Sequence, residues 1–325
     1  MIRALHVVTA NRFQAWCRAA VCALLLLPPA LQAGPGNVDR QRMLAAEKDM
    51  ENWMSYGRTY GDQRYSPLAE INDGNVAGLK LDWYVDIPSR DGLSATPLVV
   101  DGVVYMSAPY SIVYAYDAAS GKLKWSYDPV ISRGGSFSNG WAFRINRGVA
   151  VWEGKVFVAT ADCRLVALDA ATGKEVWTAP KQLSADKAER GIALPVQEPS
   201  CDPKGENSMD GAPRVANGKV FIGGGVADFG ARGVITAYDA NTGEEVWRFY
   251  TVSGDPAKGY ENKAMEMAAK TWNGEWWALG GGGGTVWDAM AHDPDQRPPA
   301  ATLAAALEQV ESQIMMPPAP PGDAV

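Results

Sequence analysis

Between residues 97 and 250 the chain is built of short apolar runs rich in Val, Ile, Phe and Tyr, punctuated by pairs of turn residues. Three stretches show the pattern most plainly: Pro97-Leu-Val-Val-Asp-Gly-Val-Val-Tyr105, Val149-Ala-Val-Trp-Glu-Gly-Lys-Val-Phe-Val158 and Pro213-Arg-Val-Ala-Asn-Gly-Lys-Val-Phe-Ile222. Each reads as two strands joined by a tight turn, because the dipeptide ending in Gly supplies the positive φ that such a turn needs.

A second pattern follows each pair. Ala115-Tyr-Asp-Ala-Ala-Ser-Gly-Lys-Leu-Lys-Trp125, Ala167-Leu-Asp-Ala-Ala-Thr-Gly-Lys-Glu-Val-Trp177 and Ala237-Tyr-Asp-Ala-Asn-Thr-Gly-Glu-Glu-Val-Trp247 share the frame Ala-x-Asp-Ala-x-x-Gly-x-x-x-Trp. The frame predicts a strand ending at Asp, a turn at Gly, and a strand delivering a large aromatic at fixed register. Four strands recurring every ~50–70 residues predict an all-β fold of propeller blades. A β-sandwich with similar hairpins is the alternative. Residues 182–210, polar and without alternation, read as an inserted surface loop. Glu261 to Trp272 has helical spacing and helix-forming residues. The glycines 280–284 allow close backbone approach, to a ligand or in a crowded turn. Beyond Asp295 the chain is rich in Pro and Ala, with one short helix expected over 300–316.

The 325 residues are 47% hydrophobic and 21% charged, which is ordinary globular composition. The net charge of -7, with no Lys/Arg cluster, excludes a broad nucleic-acid surface. At the start, Arg3, Arg12 and Arg18, an apolar run and the small-residue pattern ending at Ala33 predict a signal peptide over 1–33. Export to the periplasm follows, with no transmembrane segment after cleavage. Cys163 and Cys201 then remain, and the sequence leaves open whether they pair. No Cys-x-x-Cys-His occurs and the only histidines are His6 and His292, so the chain carries no c-type haem site.

Further strings are specific to one group: Ser55-Tyr-Gly-Arg-Thr-Tyr60, Gln63-Arg-Tyr-Ser-Pro67, Ala95-Thr-Pro-Leu-Val-Val-Asp-Gly102, Asn146-Arg-Gly-Val-Ala-Val-Trp152 and Gly282-Gly-Gly-Thr-Val-Trp-Asp288. On these, the chain resembles the methanol/ethanol-type PQQ-dependent alcohol dehydrogenases, eight-bladed propellers tied by tryptophan-docking motifs. The resemblance runs from about Trp53 to Asp295 and implies roughly three blades and the start of the next. It implies PQQ and Ca²⁺ as cofactors, a small alcohol as substrate, and a cytochrome c or quinone as electron acceptor. Hydride then passes to the quinone while an Asp acts as base.

Carried over residue by residue, the resemblance makes Arg147 the arginine that contacts the quinone oxygens. It makes Thr285 the threonine that binds a PQQ carboxylate and Trp287 the tryptophan under the ring. Val226 and Ala227 fall in the loop whose backbone touches PQQ, Val226 replacing a Gly. Asp228 stands where the family has its calcium-ligating Glu, and the alternative for it is a solvated loop carboxylate. Trp141-Ala142 replaces a vicinal cysteine pair, leaving Trp141 to stack on the ring. Ser94 replaces a Glu, and Asp210 replaces the threonine before Gly-Ala-Pro, adding negative charge beside a tricarboxylate cofactor. The family's general base and the Asn completing the calcium site have no counterpart in the matching region, so no catalytic residue is assigned. The expectation is the front part of such an enzyme, cut short by a shifted reading frame and weak or inactive as a catalyst. The alternatives are a non-catalytic periplasmic binding or scaffold module and an inactive gene fragment.

Overall fold

Three sheets, each antiparallel with chain order equal to spatial order, account for all the named strands among the described residues. The first comprises β1 (Leu98–Val100), β2 (Val103–Ser107), β3 (Val113–Asp117) and β4 (Leu123–Tyr127). The second comprises β5 (Ala150–Trp152), β6 (Lys155–Ala159), β7 (Leu165–Asp169) and β8 (Glu175–Ala179). The third comprises β9 (Arg214–Ala216), β10 (Lys219–Gly223), β11 (Val234–Asp239) and β12 (Glu245–Tyr250). These are the blades that the repeat predicts. The computed structural model describes residues 34–89, 91–131, 144–179, 209–224, 232–279, 284 and 286. The expected signal peptide, the tail and most of the expected loop at 182–210 lie outside them; that loop stops short of Met209 and Asp210, which are buried.

The turns have the chemistry that the sequence calls for. Asp101-Gly102, Glu153-Gly154 and Asn217-Gly218 all carry φ between 44° and 73°, the left-handed pair that matches the twist of a two-residue hairpin. In each frame the Asp side chain accepts from a backbone N–H three residues on, at Ser120, Thr172 and Thr242 (2.8–2.9 Å). The Ser120 hydroxyl, which also donates to Asp117 (2.7 Å), and then the Ser120 amide hold the Asp117 carboxyl below the usual carboxylate range, and the Thr242 amide does the same for Asp239. A register shift falls at the same place in every blade, after Ala115, Ala167 and Ala237. That bulge sets the outermost strand so that its Trp faces the next blade.

What the Trp meets explains the rest of the frame. Trp125 Nε1 donates to Ala170 O (2.9 Å), and Trp177 Nε1 to Ala240 O (3.2 Å). A Cβ on Gly173 would lie 2.5 Å from the Trp125 ring, and one on Gly243 would lie 2.6 Å from Trp177. The Gly of each frame is thus both a left-handed turn residue and the floor on which the preceding blade's Trp rests. Each Trp also tilts against an aromatic of its own blade: Tyr105 with Trp125, Phe157 with Trp177 and Phe221 with Trp247, at 5.6–6.0 Å. Burying one such ring contributes roughly 2–3 kcal/mol, so docking between neighbouring blades is a large share of blade stability.

Among the described residues a third tryptophan docks in the same way, outside the repeated frame. Trp83 Nε1 donates to Ala118 O (3.0 Å), and its ring covers Gly121. The segment before the blades runs along their inner edges: Trp53 pairs with Val99 of β1, and Tyr60 Oη donates to Val215 O in β9 (3.1 Å). The helix expected over Glu261 to Trp272 forms only as Lys263–Ala269. Asn262 caps it by accepting from Met265 N (3.0 Å), which leaves Glu261 outside the helix, paired with Arg232. At the other end Trp272 turns away to meet Trp276 edge-on.

Candidate functional site

The hairpins and frame turns lie at one end of the blades; the residues leading into each blade lie at the other. There the lead-in segments run side by side. Thr96 N donates to Arg147 O (3.1 Å), and Arg147 N donates to Asp210 O (2.9 Å). Thr96 and Gly148 form a parallel bridge. Gly148, at φ 138°, keeps this ladder tight, since a Cβ would meet Thr96 O at 3.2 Å and Ala212 Cβ at 3.5 Å. Residues far apart in sequence are brought to one place by backbone bonds alone.

Arg147 sits at the centre of the ladder. Its guanidinium is a quarter exposed, and Nη1 stands 2.5 Å from Asp210 Oδ2 in an ion contact outside linear hydrogen-bond geometry. The Asp210 side chain is 4% exposed. Its second oxygen, Oδ1, is buried with no hydrogen-bond donor among the described residues, a state that costs a carboxylate about 1–3 kcal/mol or more.

Beside Arg147 lies a buried polar hub. Asn146, 1% exposed, accepts from Ser107 Oγ (2.6 Å) and Gly148 N (3.2 Å). Its Nδ2 donates to Ala159 O (2.8 Å) and Ser111 Oγ (3.1 Å). Ser111 Oγ also accepts from Ala161 N (3.1 Å). The connection carrying Ser111 holds two successive left-handed residues, Tyr110 (φ 63°) and Ser111 (φ 58°), a conformation that costs of order 1 kcal/mol or more per residue. The fully satisfied Asn146 amide sustains it and locks Arg147 between the first and second blades. In the sequence the signal of Asn146 is a lone amide between Ile145 and Arg147, shortly before an apolar strand.

The connection after β6 reaches the same end and carries Cys163, which is 2% exposed and disulfide-bonded. Its partner lies outside the described residues, so the pairing left open with Cys201 gains one observed half. Ser94 is exposed at the first lead-in. At the third blade, Gly223 packs against Val286, and Thr251 Oγ1 donates to Gly284 O (2.5 Å). The backbone on both sides of position 285 thus lies against the site end of that blade.

Of the residues expected to hold a cofactor, Arg147 alone is described. Trp141, Val226, Ala227, Thr285, Trp287 and the expected metal ligand Asp228 lie outside the described residues. Among the described residues no group of three or more His, Cys, Asp or Glu gathers to hold a metal.

Comparison with known proteins agrees with the fold. A family described as "PQQ: Glucose/ethanol/alcohol dehydrogenase, beta-propeller domain" matches residues 53–297. The quinohemoprotein alcohol dehydrogenase ADH-IIG of Pseudomonas putida is 49% identical over 279 residues, which cover 85% of this chain and 36% of that protein. The structure of quinohemoprotein alcohol dehydrogenase from Comamonas testosteroni superposes with a TM-score of 0.68 at 43% identity, over 80% of this chain and 36% of that one. A europium-containing methanol dehydrogenase superposes at 0.62 with 32% identity, over 78% and 42%. The chain therefore spans about a third of the length of the curated relatives it matches.

Proposed function

The chain belongs to the β-propeller domain family of the PQQ-dependent glucose/ethanol/alcohol dehydrogenases, and from that premise we propose that it supplies the cofactor-facing front blades of a PQQ- and calcium-dependent oxidation of an alcohol to an aldehyde. The observation that carries the reading is Arg147, held at the meeting of three lead-in segments with its guanidinium partly open. When bound, PQQ supplies the electron-accepting quinone and Ca²⁺ the polarising charge. Arg147 fits that chemistry, because a fixed cation stabilises charge developing on a quinone oxygen. Asp210 opposes it, being a second charge of the wrong sign within ion-pair distance of the same guanidinium.

Arg147 binds and orients in this account, and Asn146 keeps it in register. Trp141, Val226, Ala227, Thr285 and Trp287 are proposed to complete the cofactor's surroundings, and Asp228 to ligate the metal. The electron acceptor is proposed to be a cytochrome c or a quinone. The disulfide at Cys163 supports an oxidising compartment, and with the N-terminal signal pattern it supports a periplasmic location. The Arg147–Asp210 pair favours one further reading, a propeller module that binds without turning over.

A dye-reduction assay of the chain with PQQ, Ca²⁺ and short primary alcohols tests these readings. Reduction that needs all three supports oxidation by this chain. Quinone binding without reduction supports the binding module. Absence of both contradicts the proposal.

A further inference from the structure

We propose that Asp210 is a specificity-determining residue that engages Arg147 in a close, partly buried ion pair and so weakens the site's hold on anionic quinones. The inference rests on the reading of Arg147 as a cofactor-facing residue and names what regulates its strength. Three observations carry it. The Asp210 side chain is 4% exposed and lies 2.5 Å from the guanidinium. The two residues are fixed to one another by the backbone bond from Arg147 N to Asp210 O (2.9 Å), so their side chains leave the same point of the ladder. The remaining oxygen, Oδ1, is buried without a donor among the described residues, so no described network draws the charge elsewhere.

A carboxylate in this position acts twice on an arriving anion. It neutralises the Arg147 guanidinium, and it repels negative charge at close range where solvent screening is weak. A ligand oxygen approaching Arg147 must share that cation with Asp210, as ligand and side chain compete for one donor fork. Threonine, the residue the family resemblance places here, would remove that competing charge.

The test is an equilibrium titration of the full chain with PQQ, followed by quenching of tryptophan fluorescence. Asp210→Asn keeps the shape and removes the charge; Asp210→Thr removes both. Each is expected to bind at least about tenfold more tightly than the unaltered protein, the effect of removing one close like charge from a partly buried site. In an Arg147→Met background the gain from Asp210→Asn is expected to shrink well below that. Equal or weaker binding by both variants, or an undiminished gain without Arg147, overturns the inference. Failure of both variants to fold also overturns it, because Asp210 is then structural. If no protein binds PQQ, the cofactor reading fails, and the inference is judged on inorganic pyrophosphate instead. Both variants should then show a rise in Tm with pyrophosphate that the unaltered protein and Arg147→Met/Asp210→Asn lack; no such rise overturns it.

Discussion

Gly173 shows how one residue carries two constraints. Its φ of 70° already disfavours a side chain, and the Trp125 ring occupies the space where a Cβ would project. Gly173→Ala is therefore expected to destabilise the protein by more than the ~1 kcal/mol that a left-handed Ala alone costs. Gly102→Ala is the control, since it has a similar φ of 73° with nothing within 4 Å of its Cβ position. Urea unfolding that gives the two variants equal losses would refute the floor role of Gly173. Asn146→Ala removes four bonds from a buried hub and is expected to cost ~2–4 kcal/mol, because Ser107 Oγ and Ala159 O are left buried without it. The frame's Gly was legible in the sequence as a turn, while its second role was not, because the ring it supports belongs to another blade.

At the scale of elements, the repeat was legible because almost everything it encodes is local: the Asp cap, the turn Gly and the strand register all fall within one frame. Trp83 escapes the frame because the frame needs Gly at position 79, where the chain has Leu79, and Gly78 stands one residue out of register. The helix after β12 was overextended because Glu261 forms a tertiary pair that no periodicity reports. Arg232 donates to both Glu261 oxygens (2.5 and 2.9 Å) and lies 3.9 Å from the Tyr250 ring centroid. That pairing holds the Glu261 carboxyl below its ordinary 4.5. A lowered carboxyl stabilises the fold above the unfolded value and loses that contribution as pH falls through the folded one. The unfolding midpoint should therefore drop on acidification below 4.5, and drop less in Glu261→Gln; identical profiles for the two proteins would exclude the pair as a cause. Around Cys163 the expectation is a loss of ~2–4 kcal/mol on reduction. Thermal melting with and without dithiothreitol checks it, with Cys163→Ser expected to reproduce the reduced curve.

For the whole molecule, the three blades were readable from sequence, whereas the site was readable only in part. Arg147 was found through a resemblance, but its neighbours on the ladder come from lead-in segments around 96 and 210. Only the parallel pairing between blades reveals that these meet. Asp210 illustrates the gap: its charge was visible in the sequence, and its choice of Arg147 as partner was not. The arrangement gives the molecule a rigid docked frame at one end and a short ladder of functional residues at the other.

If this ladder is where a quinone binds, affinity for PQQ must depend on Arg147. Titrating the chain with PQQ, alongside Arg147→Met, measures it. Saturable binding by the unaltered protein, weakened about tenfold or more in a variant that still unfolds cooperatively, is the predicted result, on the scale of losing one charge-assisted contact. Equal affinity in the two proteins, or no binding by either, would contradict it.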